Sequence, residues 1–314
     1  MNDRDRTAFI TGVSSFAGRR LAEQLVQAGW RVEGTVLSRA SGVAGVTEHK
    51  LEIDDRDAIA ELLGPLAPTV VFHLAAIVDT VTTPDVMELH RINTMGTVAV
   101  TEAMRVAAPS ARLVFTSSAF AYGRTPAESQ PVTEDEPLRP LTPYGASKVA
   151  SEQIVSQFAR ETGADVVITR AFQHTGPEHT GAYALADWAG QLARIERDGG
   201  PGSIATGNLE VERDYLDVRD VASAYVATAE RGKSGAVYNV SSGVPLSMRA
   251  LLEGLIEAFG VDATIETDPA RVRAIDQPVF VGDPTRLKQD TGWEPAFSLD
   301  ETLRALADFA RTQL

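Results

Sequence analysis

Cysteine is absent from the 314 residues, which removes disulfides, thiolate metal sites and a cysteine nucleophile together. Histidine is scarce. The five present, His49, His73, His90, His174 and His179, show no H-E-x-x-H or comparable ligand spacing, so no dedicated metal site is expected. Positive charge is in the minority, 29 Lys and Arg against 43 Asp and Glu, and the resulting formal charge of -14 repels nucleic acid and anionic membrane surfaces. No stretch reaches the ~20 apolar residues that span a bilayer, and the opening "MNDRDRTAFITG" lacks the apolar centre of a secretion signal. A cytoplasmic protein is therefore expected. A small phosphorylated ligand stays compatible with this charge wherever local arginines or backbone N–H groups outweigh the far field.

What the sequence does have is alternation. Nearly continuous apolar runs, "TAFIT" (7–11), "RVEGTVL" (31–37), "TVVFHLA" (69–75), "RLVFTSS" (112–118) and "DVVITRA" (165–171), read as strands covered on both faces. Helical patterns lie between them. "RRLAEQLVQAG" sets Leu21, Leu25 and Val26 on one face with Gly29 as a stop, and "DRDAIAELL" follows an Asp cap. The fold class expected is α/β, a Rossmann-type doubly wound parallel sheet over residues 1–172. Residues 173–314 are less regular, with helices predicted at 183–197, 217–231, 246–259 and 299–312 and short strands near 237–242 and 263–269. They read as a smaller, partly interleaved α/β lobe for the substrate. The Pro- and acid-rich stretch 123–143 is long enough to be a functional excursion.

The first strand runs into "TGVSSFAG", which opens a helix. Gly12 and Gly18 stand where a tight turn and close helix packing admit no Cβ, and the N–H groups of Ser15, Phe16 and Ala17 face the place of a pyrophosphate. Ser15 occupies the middle glycine position of the dinucleotide fingerprint and is tolerated there only at negative φ. The end of the second strand offers no carboxylate for a free ribose 2′-hydroxyl. It offers Ser38, Arg39 and Ser41 instead, a set suited to a 2′-phosphate, so NADP is favoured over NAD.

Further on, "YGASK" puts Tyr144 one helical turn before Lys148, so a phenol and an ammonium share one face. Spacing alone permits chemistry without showing it. Taken with "LEIDD" (51–55), "HLAA" (73–76), "INTMGT" (92–97) and "FTSSAFAYG" (115–123), however, the chain resembles the extended short-chain dehydrogenase/reductases that act on nucleotide sugars. The resemblance implies that Ile53 and Asp54 bind adenine and that Leu74, Ala75, Ala76, Asn93, Thr116 and Ala171 line the cofactor cleft. It implies Ser118, Tyr144 and Lys148 as the catalytic set. A hydroxyl at 118 polarises a ketone, Tyr144 passes the proton, and Lys148 together with the oxidised nicotinamide lowers the phenol pKa and holds the ribose.

The second half resembles the bacterial GDP-4-keto-6-deoxy-D-mannose reductase branch, in "RAFQHTGPEHTGAYALADWAGQLARIE", "GNLEVERDYLDVRDVASAY" and "DPARVRAIDQPVFVGDPTRL". That implies Gln173, Arg213, Arg273 and Asp276 as substrate-binding residues, the arginines on phosphate and the carboxylate on ribose. Gln173 replaces the family's usual Asn, and Ala274 and Ile275 replace a Pro and a small polar residue. Ala119 and Phe120 fill the places where the sister dehydratases keep an acid, which disfavours dehydration, and the 3,5-epimerase-reductases need a cysteine this chain lacks. Reduction of a GDP-linked 4-keto-6-deoxyhexose is the expectation, with a 4-epimerase holding NAD tightly as the alternative. A non-catalytic dinucleotide sensor or scaffold is the reading from another class; such proteins lose Tyr or Lys of the pair. The resemblance also implies a homodimer, helices at 84–107 and 144–161 forming a four-helix bundle.

Overall fold

The computed structural model describes residues 6–78, 85–181, 183–272 and 277–314. Strands β1 (Thr7–Thr11), β2 (Arg31–Val36), β3 (Val46–Lys50), β4 (Val70–His73), β5 (Arg112–Ser118) and β6 (Val166–Ala171) are joined by a last strand, Val237–Val240, in one sheet. Its order is Val237–Val240, β6, β5, β4, β1, β2, β3, and every pair is parallel. β1, β4 and β6 are buried along their whole length, the pattern expected of strands covered on both faces. β3 reads "VTEHK" and alternates between half-buried and exposed positions, as an edge strand does; lacking an apolar run, it is not visible in the sequence.

Helices α1 (Phe16–Gln27), α2 (Arg56–Leu66), α3 (Val86–His90), α4 (Gly96–Ala107) and α5 (Pro143–Thr162) make the crossovers. α3 and α4 are continuous through a π-helical turn at Arg91–Met95. Asp55 caps α2, its carboxylate accepting from Ala58 N at 3.0 Å. One apolar cluster, with Leu21, Leu25, Val32 and Phe72, lies between the sheet and α1; the opposite cluster holds Phe9, Leu63, Val100, Phe115 and Phe158 under α2, α4 and α5.

Val237–Val240 was expected among the strands of the smaller lobe but pairs with β6, Val240 opposite Ala171. The helix before it, Val218–Arg231, packs beside α1, with Val221, Ala222, Ala224 and Tyr225 in the same cluster as Leu21. A third cluster gathers Trp188, Leu192, Leu251, Leu255, Leu303 and Leu306 from the helices Ala184–Asp198, Met248–Phe259 and Leu299–Arg311. The strand Ala263–Thr267 pairs in parallel with Gly202–Thr206. The excursion 123–143 ties these parts together: Asn239 N donates to Glu134 Oε1 at 2.8 Å, and Val281 N donates to Gln130 at 2.9 Å.

Candidate active site

Parallel strands bring their carboxyl ends to one edge of the sheet. The order reverses at β1, with β2 on one side and β4 on the other, and the crevice of a doubly wound sheet opens at that reversal. Register fixes what faces it. Thr11 at the end of β1 stands opposite His73 at the end of β4, while β5 runs on past Phe115 until Ser118 stands opposite Ala171.

The turn after β1 has the shape a dinucleotide needs. Gly12 has φ +71°, and a Cβ there would lie 2.9 Å from the Ala75 Cα, so only glycine lets "HLAA" approach. A Cβ on buried Gly18 would lie 2.5 Å from the Gly12 carbonyl oxygen. Ser15 has φ −70° and caps α1, its hydroxyl accepting from Gly18 N at 3.1 Å. The middle serine is thus accommodated at negative φ. Phe16 and Ala17, the first two residues of α1, keep N–H groups that the helix itself cannot use. Phe16 is stacked between His174 and His179, with ring centroids 5.9 and 4.7 Å away. Beyond β2, Ser38 and Arg39 are exposed, whereas Ser41 is buried and committed to Glu48.

At the far side of the crevice the three expected catalytic residues meet. Thr142 caps α5, accepting from Gly145 N at 3.1 Å, and Pro143 occupies the first helical position, which suits its fixed φ and missing N–H. Tyr144 is therefore in the first turn of α5 and Lys148 in the next. The Tyr144 phenol feels the Ser118 hydroxyl, which works to lower its pKa, and Ser118 Oγ accepts from Phe120 N at 3.2 Å. Lys148 Nζ donates to the Thr116 carbonyl at 2.9 Å and lies 5.9 Å from the Tyr144 ring centre. All three residues are buried.

Burial governs their acidity. It pushes the Tyr144 phenol up to about 12 against the smaller opposing effect of the Ser118 hydroxyl, and it brings Lys148 down to about 8 against the attraction of Glu152. The effect expected of Lys148 on the phenol is one it exerts together with an oxidised nicotinamide; the raised value here comes from burial, and the Lys148 ammonium donates to the Thr116 carbonyl.

A polar layer beneath the site went unread in the sequence. Thr11 Oγ1 and His73 Nδ1 are 2.7 Å apart; His73 Nε2 is 3.1 Å from Thr97 Oγ1, and Thr97 reaches Ser151 at 3.1 Å. Asn93, in the π turn, bonds Ile77 N at 2.7 Å, the Ile77 carbonyl at 3.1 Å and Ser147 at 3.0 Å, binding α5 to the strand end of β4. Burial first, then the Lys148 charge, holds His73 at about 3, so it is neutral. Glu152, four residues after Lys148, takes Arg170 at 2.7 and 3.0 Å and also accepts from Ser117 Oγ. Ser117 lies between the carbonyl that holds Lys148 and the hydroxyl that meets Tyr144, so this buried pair fixes the end of β5. The i, i+4 spacing of Lys148 and Glu152 was the available signal.

Other expected contacts are placed differently. Ile53 is buried, and Asp54 is bound to Arg91 at 2.6 Å. Leu74 is buried with Ala75 and Ala76 partly so, and Thr116 Oγ1 bonds the His73 carbonyl at 3.0 Å. Gln173 begins a short strand beside Tyr215–Asp217, and its Oε1 is buried with no hydrogen-bond partner among the described residues, an acceptor in want of a donor. Arg213 is 2.9 Å from the Gln277 carbonyl. Arg273 and Asp276 lie outside the described residues.

This constellation has relatives. Residues 9–306 match the family model described as GDP-mannose 4,6 dehydratase. The chain belongs to that family of extended short-chain dehydrogenase/reductases. It is 32% identical over 301 residues to the GDP-6-deoxy-D-mannose reductase of Pseudomonas aeruginosa, covering 95% of both chains. It is also 29% identical over 323 residues to the UDP-glucose 4-epimerase of Mycolicibacterium smegmatis, covering 97% of this chain and 98% of that one. Among solved structures, RMD from Pseudomonas aeruginosa complexed with NADPH matches with a TM-score of 0.87 at 30% identity over 98% of each chain. These relatives are named for different reactions, so the activity of this chain must be argued from its own pocket.

Proposed function

We propose that this enzyme reduces the C4 ketone of a nucleotide-linked 4-keto-6-deoxyhexose, GDP-4-keto-6-deoxy-D-mannose to GDP-D-rhamnose, with NADPH. The observation that carries the reading is the buried Ser118–Tyr144–Lys148 cluster beside two side chains, Ala119 and Phe120, that offer no acid. A reduced dinucleotide bound in this cleft would be the source of the hydride that C4 receives. Ser118 and Tyr144 hydrogen-bond the ketone oxygen, and the neutral phenol gives that oxygen its proton as the hydride arrives. Lys148, anchored on Thr116, holds the ribose and then returns a proton to the phenolate. A phenol kept protonated by burial suits a step in which it must donate. Dehydration would need a further acid and base, which Ala119 and Phe120 cannot be.

The residues present fit a dinucleotide. Gly12 leaves a cradle that a Cβ would fill, and the α1 N–H groups of Phe16 and Ala17 would hold the pyrophosphate, with Ser38 and Arg39 toward the adenosine ribose. Gln173, with its unpartnered Oε1, would accept from a sugar hydroxyl, and Arg213, Arg273 and Asp276 would hold the nucleoside diphosphate. In this reading residues 1–172 bind the cofactor and 173–314 the substrate, with Val218–Val240 returning to the sheet. We also read the enzyme as a cytoplasmic homodimer. Val86, Met87, Met95 and Val106 are exposed along the α3–α4 rod, the face that pairing with a second copy would cover. Among the described residues no helix is long and apolar enough to cross a membrane.

The test is consumption of NADPH on addition of GDP-4-keto-6-deoxy-D-mannose, followed at 340 nm. The expected result is stoichiometric oxidation with formation of a GDP-6-deoxyhexose. No oxidation, together with turnover of UDP-glucose without added reductant, would establish the epimerase instead; binding without turnover of either would establish a sensor.

A further inference from the structure

Two neighbouring arginines in the first turns of α1 find their partner in the second half of the chain. Arg19 NH1 is 2.7 Å from Glu178 Oε2, and Arg20 NH2 is 2.9 Å from Glu178 Oε1. One carboxylate therefore serves two guanidinium groups. Arg20 has a second anion, Glu23 at 2.6 Å, but Glu178 is the acid that Arg19 holds. The Nε of each arginine is buried without a hydrogen-bond partner among the described residues, so these cations have donors to spare. Glu178 also carries φ +70°, a left-handed conformation that costs a residue other than glycine on the order of 1 kcal/mol.

The position of Arg19 gives this pairing a use. A Cβ built on Gly42 would lie 3.9 Å from Arg19 NH2, which places the guanidinium against the stretch that follows β2. β2 ends at Val36, the next residues are Leu37 and Ser38 rather than an acid, and the exposed cation there is Arg39. The other acid nearby, Glu48, is occupied by Ser41. Arg19 thus stands between an internal carboxylate on one side and, on the other, the place where a nucleotide ribose would present its 2′ group.

We propose that Arg19 reads the 2′-phosphate of the dinucleotide, and that Glu178 is the internal anion that holds Arg19 until the phosphate takes its place. This rests on the NADP reading above. The exchange swaps one anion for another, so no half-buried guanidinium is left bare, and Glu178 keeps Arg20. A phosphate offers three acceptor oxygens and up to two charges against the single charge of a carboxylate, which sets the direction of the exchange. A dinucleotide without the 2′-phosphate gives Arg19 no reason to leave Glu178. Glu178 then works as a selectivity element: it lowers affinity for NADP and is indifferent to NAD.

Dissociation constants for NADP and NAD by calorimetry, on the wild type, Arg19→Ala and Glu178→Gln, test this without turnover. Arg19→Ala should weaken NADP about tenfold, the scale of one charge-assisted hydrogen bond, with NAD unchanged. Glu178→Gln should tighten NADP several-fold, again with NAD unchanged. Equal losses for both dinucleotides in Arg19→Ala would put the arginine on the pyrophosphate and overturn the assignment, as would no change in either variant. A wild type that does not bind NADP would instead sink the cofactor reading itself. Should Arg19→Ala fail to fold, the Glu178→Gln arm decides alone.

Discussion

The two ends of the crevice are built on opposite principles. At the β5–α5 end, Ser118, Tyr144, Lys148, Glu152 and Arg170 are buried and bonded to one another or to strand carbonyls. At the β1–α1 end the charges are half exposed, Arg19 and Arg20 trading on a carboxylate from a distant loop. The difference suits the roles proposed for them: proton transfer needs fixed distances and a pKa set by desolvation, whereas a ligand that comes and goes needs cations whose partner can be exchanged at little cost.

The largest break in this contrast is at Tyr144. Tyr144→Phe removes the phenolic proton but keeps the ring against Phe120, so turnover should fall about a thousandfold while the melting temperature holds. Single-turnover rates and a thermal melt check the two halves of that statement.

Stability answers to the layer underneath. Glu152→Gln leaves Arg170 buried without its counter-charge and should cost about 3–5 kcal/mol in urea unfolding. The exposed pair Arg304–Asp300, broken by Asp300→Asn, should cost less than about 0.5 kcal/mol.

Lys148 separates function from stability. Its pKa is lowered from 10.5 to about 8 on folding, so between those values the unfolded chain binds more protons and stability rises with pH. The buried ammonium therefore weighs on the fold below pH 8, on the order of 3 kcal/mol. Lys148→Met should be inactive yet melt above the wild type at pH 7, an advantage that shrinks between pH 8 and 10. An advantage independent of pH would remove burial as its cause.

An effect confined to acid pH belongs to the stacked histidine. His179 is lowered to about 3 by burial, with the His174 charge adding to it, so its contribution is present above pH 6.5 and lost as pH falls through that range toward 3. His179→Phe, which can keep the stack on Phe16, should flatten the fall in melting temperature between pH 6 and 4 by a few degrees.

Legibility in the sequence divides along similar lines. Strands buried on both faces announce themselves as apolar runs, and the glycine turn and the Tyr–Lys spacing carry their own stereochemical reasons. β3 stayed hidden because an edge strand needs no apolar run. The strand Val237–Val240 could be read as a strand but not assigned to its sheet, since pairing partners 70 residues apart leave no local trace. The Arg19–Glu178 contact is invisible for the same reason, both residues looking like ordinary surface charges. The upward push of burial on the phenol is not legible either, because charge can be counted in a sequence and desolvation cannot.

One consequence of the sheet order concerns synthesis. When the ribosome has emitted everything up to Ala171, β6 still has a bare flank, and the segment that covers it is about 70 residues from being made. At several to twenty residues per second, that is an interval of seconds in which an unpaired edge, bearing Arg170 and its buried counter-ion, faces the cell. The sheet begun by the first 171 residues is thus completed only by a strand from the second half of the chain.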